Sequence, residues 1–434
     1  MISRYAIKEI DLLCSDTEKL KRWAQVELAI IYGLHKHKII TKKEFHELTS
    51  NLKWNLELTK KHEEEVKHDV FAFIMTLNEL TKTKANKWIH YGVTSTDIVD
   101  TANGLLYQEI NKLILKDLVV LINLIKKLAI KHENTIMLAR THGQSAEPTT
   151  LGLKFINWFD QLNRNKENFI NATKLVEVGK ISGAVGTHAH LPNLKFEKDV
   201  CKYLNLNAAS TSTQVLSRDR HAQYFNSLIL LISSISSFAH EIRLLALDDV
   251  NELSEGFEKN QKGSSAMPQK RNPISCENIC GLARVIQGYS TTVYENITLW
   301  HERDISHSST ERILNQDFIS LVLYIIRRFI KILDNLIVNK DQMIINLNKS
   351  TPKIYSQTIM LYLIKKHNLP RLEAYEIIKK LSSESLNLNE LIERINEKIS
   401  KPINLNDIKI YLRPTYHTRY LKDIIKSTIN FWNK

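Results

Sequence analysis

Long tracts free of Pro and nearly free of Gly, in which apolar residues return every three or four positions, constrain this chain more than any other feature. Its 434 residues hold only 12 Gly and 8 Pro, and these cluster. From Leu105 to Ile130, the residues Ile110, Leu113, Ile114, Leu118, Leu121, Leu124, Ile125 and Leu128 keep the step of one buried helix face, which a strand of period two cannot keep. A second tract runs from about Arg218 to Glu255 through Phe225, Leu228, Ile229, Ile232, Ile235, Phe238 and Ile242. A third starts after Pro273 and continues towards Trp300 despite Gly281 and Gly288, and a fourth lies between Phe318 and Val338. Helices this long pack as a bundle, and faces apolar nearly all round imply burial by more than one neighbour. The expected architecture is all-α. It comprises an N-terminal helical domain over 1–93, a central long-helix bundle over 94–349 that assembles with other copies, and a small C-terminal helical domain over 350–434.

With 43% hydrophobic and 25% charged residues, the chain can bury a large core, and its length implies two or three domains. The formal charge of +13 calls for an anionic partner. Lys is scattered through nearly every segment and no dense Arg/Lys stripe with interleaved aromatics exists, so a small anionic substrate is expected and nucleic acid is not. Four cysteines fit a reduced, intracellular protein, and the spacing of Cys276 and Cys280 places both on one helix face, with no metal site expected. The first ten residues lack a signal-peptide core, and uninterrupted apolar runs such as Leu228 to Ile232 are too short to span a bilayer, which points to a cytoplasmic protein away from membranes.

The segment Lys262-Gly-Ser-Ser-Ala-Met-Pro-Gln-Lys-Arg-Asn-Pro273 serves no packing need. Gly263 admits backbone geometries closed to other residues, Pro268 and Pro273 each fix φ, and Ser264, Ser265, Lys270 and Asn272 remain to face a ligand. A carbon deprotonated beside a carboxylate becomes a doubly negative aci-acid, which Lys270, Asn272 and freed backbone N–H groups could stabilise. A mobile surface loop is the alternative.

Four further clusters gather polar residues. Lys67-His68-Asp69 precedes an apolar stretch, and a single His there reads as a surface or core residue as readily as a catalyst. In His90-Tyr-Gly-Val-Thr-Ser-Thr-Asp97, the residues Ser95, Thr96 and Asp97 suit an N-cap, and the same free N–H groups suit a bound carboxylate or phosphate. Arg140-Thr-His-Gly-Gln-Ser-Ala-Glu-Pro148 shows no apolar periodicity, and His142 within it is a candidate proton carrier near neutral pH. Trp300-His-Glu-Arg-Asp-Ile-Ser-His-Ser-Ser-Thr-Glu-Arg312 sets Arg303 and Arg312 around Ser308 and Ser309, an arrangement suited to phosphate or carboxylate, or else to an ion-paired helix start.

Gly263 to Pro273 match every fixed position of Gly-Ser-Ser-x-Met-Pro-x-Lys-x-Asn-Pro, the signature of the fumarase/aspartase superfamily, which the chain closely resembles. Within it, Arg4-Tyr5, His68-Asp69, Thr94-Ser95, Arg140-Thr-His-Gly-Gln144, Ser212-Thr-Gln214 and Trp300-His-Glu-Arg-Asp304 look like the adenylosuccinate lyase family in sequence and spacing. Leu412-Arg-Pro-Thr-Tyr-His417 is similar to that family's C-terminal domain.

The resemblance implies a homotetramer whose long helices form a common core, with each active site shared among three chains and no cofactor. It also implies β-elimination of fumarate from adenylosuccinate and from succinylated aminoimidazole carboxamide ribotide (SAICAR), in purine synthesis. Carried over by motif, Ser264 looks like the base at Cβ and His142 like the acid at the departing nitrogen. Lys270 and Asn272 would hold the succinyl carboxylate, Glu277 would orient a histidine, and His68 would stand near the phosphate and His142, with His90 by the same pocket. Arg4, Tyr5, Arg303, Ser308 and Arg312 resemble phosphate and ribose contacts, and Thr94, Ser95 and Gln214 resemble succinyl and base contacts. Lys67, Asp69, Ser265, Met267 and Asn278 complete the substrate-binding set. Two positions depart from the common family pattern. Lys67 stands where Arg is usual, which would make any phosphate contact there a point-charge one. Gln269 replaces the usual His, and Met-Pro-Gln-Lys also occurs in argininosuccinate lyases; the alternative activity is that of another fumarate-releasing lyase of the superfamily, such as argininosuccinate lyase or aspartase. A catalytically silent, nucleic-acid-binding scaffold is the reading of another class.

Overall fold

The computed structural model describes residues 1–257, 264, 266–385 and 387–433. Helices Ser95–Lys131, Asp219–Leu245, Ile274–Glu295 and Ile319–Asp334 cover the four periodic tracts, and Leu151–Val176 is a fifth long helix. The first helix begins ten residues before its apolar period does, because its start is set by polar chemistry: Thr94 N–H donates to Asp97 Oδ2 at 2.8 Å. The second and fourth tracts end sooner than their apolar content suggests. Leu253–Ser254 and Ile337–Val338 leave the helices to pair as short antiparallel strands.

Asp219–Leu245 is long and apolar enough, by length and composition, to cross a membrane, although Ser and other polar residues interrupt its apolar runs. Half of its most apolar stretch is buried inside the protein, as in the core helix of a bundle.

Two compact units make up the chain. The first comprises Met1–Val119, Arg164–Ile235 and Gly281–Arg328. Its core joins Trp23, Ile30, Leu34 and Phe73 to Ile98, Phe196 and Val200. Helix Asp16–Lys36 comes so close to Lys195–Tyr203 that a Cβ on Gly33 would stand 2.6 Å from Val200 Cγ2, which explains the glycine within a helix. Helix Leu56–Val66 ends at Lys67 in the left-handed region (φ 55), and Asp69–Leu80 starts at once, with His68 Nδ1 accepting from Phe71 N–H at 3.2 Å. Lys67-His68-Asp69 is therefore a helix-to-helix turn, and the turn is what projects the cluster.

The second unit comprises Val120–Asn163, Ser236–Cys280 and Phe329–Lys434. Leu138, Leu347, Ile359, Leu363, Leu391 and Ile395 centre its core. The stretch from Arg140 to Pro148, read as lacking periodicity, belongs to a hairpin: Ile136–Thr141 pairs antiparallel with Gln144–Thr150, with Thr141 opposite Gln144. His142 (φ 54) and Gly143 (φ 74) make its two-residue turn, both left-handed as a type I′ turn requires. A register shift between Leu138 and Arg140 breaks the alternation that would have marked these strands in the sequence.

Candidate active site

In the first unit, five segments distant in sequence, one of them residues 14–23, close around a cavity of about 870 Å³. The Lys67-His68-Asp69 turn, Ser95 at the first turn of the Ser95–Lys131 helix, Gln214, and Arg303, Ser308 and Arg312 all line it. Eight of the expected substrate residues thus meet in one place. Arg4, Tyr5, His90 and Thr94 belong to the same unit but not to the cavity lining. The Tyr5 ring meets Tyr324 edge-on at 5.0 Å.

Each lining group is held by its own local chemistry. Asp304 accepts from Trp300 N–H at 2.7 Å and from Ser306 N–H at 2.8 Å, and these bonds with the Ser306 hydroxyl hold its carboxyl down to about 2. It thereby fixes the start of helix Ser306–Ile313, which carries Ser308 and Arg312. Arg303 Nη1 donates to Gln214 Oε1 at 3.0 Å. A guanidinium only donates, so this bond turns the Gln214 carbonyl towards Arg303 and leaves its NH₂ as the group for another acceptor. Arg312 meets Asp69 at 3.5 Å.

His90 stands in the left-handed region (φ 58) against a fully buried carboxylate, with its N–H and Nδ1 reaching Glu27 at 3.1 and 2.7 Å. Burial alone would lower its pKa, but the Glu27 charge and hydrogen bond outweigh it and raise it. The pair's stabilisation is therefore complete below about pH 6.5 and fades as pH rises through the folded value.

Among the described residues, His142, Ser264, Met267, Lys270, Asn272, Glu277 and Asn278 lie in the second unit. Ser265 and Gly263 lie outside the described residues. Ser264 Oγ accepts from Met267 N–H at 3.1 Å and Ala266 N–H at 3.3 Å. Donors of this kind favour the oxyanion over the neutral hydroxyl, the direction a serine base needs. His142 is exposed at its hairpin tip, Lys270 is exposed, and Glu277 is itself exposed in the first turn of Ile274–Glu295. The hairpin is locked just below its tip: Arg140 donates to buried Glu252 at 3.1 and 2.7 Å, and Asn346 Nδ2 donates to the same carboxylate at 2.8 Å.

Residues 19–288 match the family model described as Lyase, and residues 352–428 match that described as Adenylosuccinate lyase C-terminus. Over 429 residues the chain is 41% identical to the adenylosuccinate lyase of Staphylococcus saprophyticus subsp. saprophyticus, covering 98% of this chain and 99% of that one. The chain belongs to the adenylosuccinate lyase family. Its fold is also that of a fumarate lyase from Mesorhizobium sp. BNC1, with a TM-score of 0.86 at 23% identity over 98% of each chain. A 3-carboxy-cis,cis-muconate lactonizing enzyme from Pseudomonas putida gives 0.86 at 20% identity, over 99% of this chain and 98% of that one. At such identities the likeness concerns fold alone.

In this member of the adenylosuccinate lyase family, local sequence did not disclose the groups behind the lining. Asp100, Arg218 and Glu311 form a buried ion cluster at the cavity wall, and Glu255 accepts from Ser275 and Cys276 N–H (3.0 and 2.6 Å) to cap the helix that follows the signature loop. The partners are 20 residues or more apart, so no short motif could carry the signal. Burial pushes Asp100 up, but the Arg218 guanidinium outweighs it and holds its carboxyl at about 2. Burial lifts Glu311, with Arg218 offsetting part of the rise.

His221 and His307, both buried, sit beside this cluster. Burial first and Arg218 second push their pKa values down to about 3 and about 4. Because these folded values lie below the ordinary 6.5, the unfolded chain takes up protons first and stability falls with pH. Between pH 6.5 and 5 the loss is on the order of 1–2 kcal/mol per histidine. His90 does not oppose it, since its contribution is already complete there. Thermal midpoints measured from pH 7.5 to 5 should fall, less steeply in His221→Asn; a flat profile would rule out buried neutral histidines.

Proposed function

We propose that the protein catalyses β-elimination of fumarate from adenylosuccinate, giving AMP, and from SAICAR, giving the aminoimidazole carboxamide ribotide. The observation that carries the reading is the cavity in which Lys67, Ser95, Gln214, Arg303, Ser308 and Arg312 converge. It presents cationic and hydroxyl donors in number for a ligand bearing a phosphate and two carboxylates.

In this reading Ser264, as alkoxide, takes the Cβ proton, and the electron pair passes into the adjacent carboxylate as an aci-acid held by Lys270 and Asn272. Collapse of that pair forms the C=C bond and expels the nitrogen of the purine or imidazole side, to which His142 gives its proton. Glu277 orients a histidine, His68 stands near the phosphate and His142, and His90 lies by the same pocket. Arg4, Tyr5, Thr94, Asp69, Ser265, Met267 and Asn278 complete the contacts. The second-unit groups would meet the cavity through assembly, with a homotetramer sharing each site among three chains. The exposed apolar residues Val119, Leu230 and Val285 on long helices support a surface covered by other copies.

Purified protein should release fumarate and AMP from adenylosuccinate, and fumarate from SAICAR. Turnover of argininosuccinate with none of adenylosuccinate would reverse the assignment. Salt-dependent DNA binding without lyase activity would favour a scaffold instead.

A further inference from the structure

Arg218 stands at the wall of the cavity yet has nothing left to offer a ligand. Its Nε–H donates to Glu311 Oε1 at 2.6 Å and Nη2 to Oε2 of the same carboxylate at 3.2 Å. Nη2 and Nη1 also reach Asp100 Oδ1 and Oδ2 at 2.9 and 3.1 Å, and Nη1 donates to Leu216 O at 2.8 Å. These five bonds consume the five N–H groups of a guanidinium, and its side chain is 1% exposed. Leu216 N–H donates to Asp100 Oδ2 at 2.8 Å and closes the network on a third segment.

The three anchored points come from three parts of the chain, and each lies within five residues of a lining group. Asp100 is on the helix that Ser95 begins, Leu216 follows Gln214, and Glu311 shares a helix with Ser308 and Arg312. Two forked contacts at right places on one rigid plane fix distance and orientation together, which a point charge could not do. A buried ion cluster is a poor source of stability by itself, since well-packed apolar side chains of equal volume do as well. What it does supply is a unique register.

We propose that Arg218 is a positioning residue: through Asp100, Leu216 and Glu311 it sets the spacing between Ser95, Gln214 and the Ser308/Arg312 helix, and so the affinity for the nucleotide part of the substrate. This rests on the function proposed above. Because those groups grip parts of the ligand remote from the reacting bond, their displacement removes binding shared by ground and transition states, so the loss appears in KM.

The test uses the full-length protein, with Arg218→Lys, which keeps the charge and loses the fork, and Glu311→Gln, which keeps the shape and turns an NH₂ against the guanidinium. KM for adenylosuccinate and the calorimetric Kd for AMP should rise by about 10- to 100-fold in Arg218→Lys and less in Glu311→Gln, with kcat within about threefold of wild type. A merely structural role would lower the folded fraction, cutting apparent kcat at unchanged KM. Either variant, folded by circular dichroism and showing wild-type KM and AMP affinity, overturns the proposal while leaving the lyase assignment standing. If Arg218→Lys does not fold, Glu311→Gln decides alone. A wild-type protein that neither releases fumarate nor binds AMP overturns both.

Discussion

Ser264→Ala protein should bind adenylosuccinate with near wild-type affinity and turn it over about 10²- to 10⁴-fold more slowly, the range a positioned general base contributes. The Ser264 hydroxyl receives two backbone N–H groups and its removal leaves both exposed to water, so the fold should bear the change. With Ser264 as the proposed base, the proton at Cβ would then lack its acceptor, and because a base acts only in the transition state, kcat should fall while binding stays. Calorimetric titration together with single-turnover fumarate release measures the two halves separately. A kcat within a factor of about three of wild type would remove Ser264 from the role of base. Mixing Ser264→Ala with His142→Gln protein checks the shared site: subunit exchange should restore part of the activity, and exchange without recovery would confine the site to one chain.

The largest expected loss of stability follows Asp97→Ala. Asp97 and Lys180 are both fully buried and meet at 2.5 Å, and the same carboxylate accepts from Thr94, Ser182 and Gly183 N–H at 2.8, 3.0 and 3.1 Å. Its removal strands an ammonium away from water and leaves three amide donors unanswered. Breaking one side of a buried pair costs about 3–5 kcal/mol. Lys180→Met in the same protein removes the stranded charge, so the double variant should recover a substantial part of the loss in thermal midpoint. A single variant as stable as wild type, or a double variant less stable than the single, would contradict this account. Ser95 begins the helix that Asp97 starts, so the variant should also weaken substrate binding.

Composition, helical period and signature loop made much of this protein legible before any coordinates. Of the eight periodic residues of 105–130, the helix Ser95–Lys131 buries six, among them Ile110, Ile114, Leu118, Leu121 and Ile125 at 0% exposure, and leaves Leu113 and Leu124 half-buried. The Gly263–Pro273 pattern and the scattered His, Arg and Ser clusters led to the family, because each is a contiguous run whose spacing survives in the sequence. The hairpin at His142 was not legible, since its alternation is broken by a register shift and its strand packs against the helix Lys340–Lys349, some 200 residues later. Nor was Glu27 behind His90, Glu255 beneath the loop's helix, or Arg218 between two carboxylates.

What the sequence determined by itself was therefore local: helix faces, punctuation, and the residue types able to serve an anionic substrate. A 3.6-residue repeat is a property of neighbours along the chain and needs no fold to be seen. Only the tertiary structure decided that Lys67, Ser95, Gln214, Arg303, Ser308 and Arg312 share one cavity, and that Asp100, Arg218 and Glu311 hold its wall. Those groups are brought together from up to 245 positions apart by apolar burial, which is non-directional, and then fixed by hydrogen bonds and ion pairs, which are not.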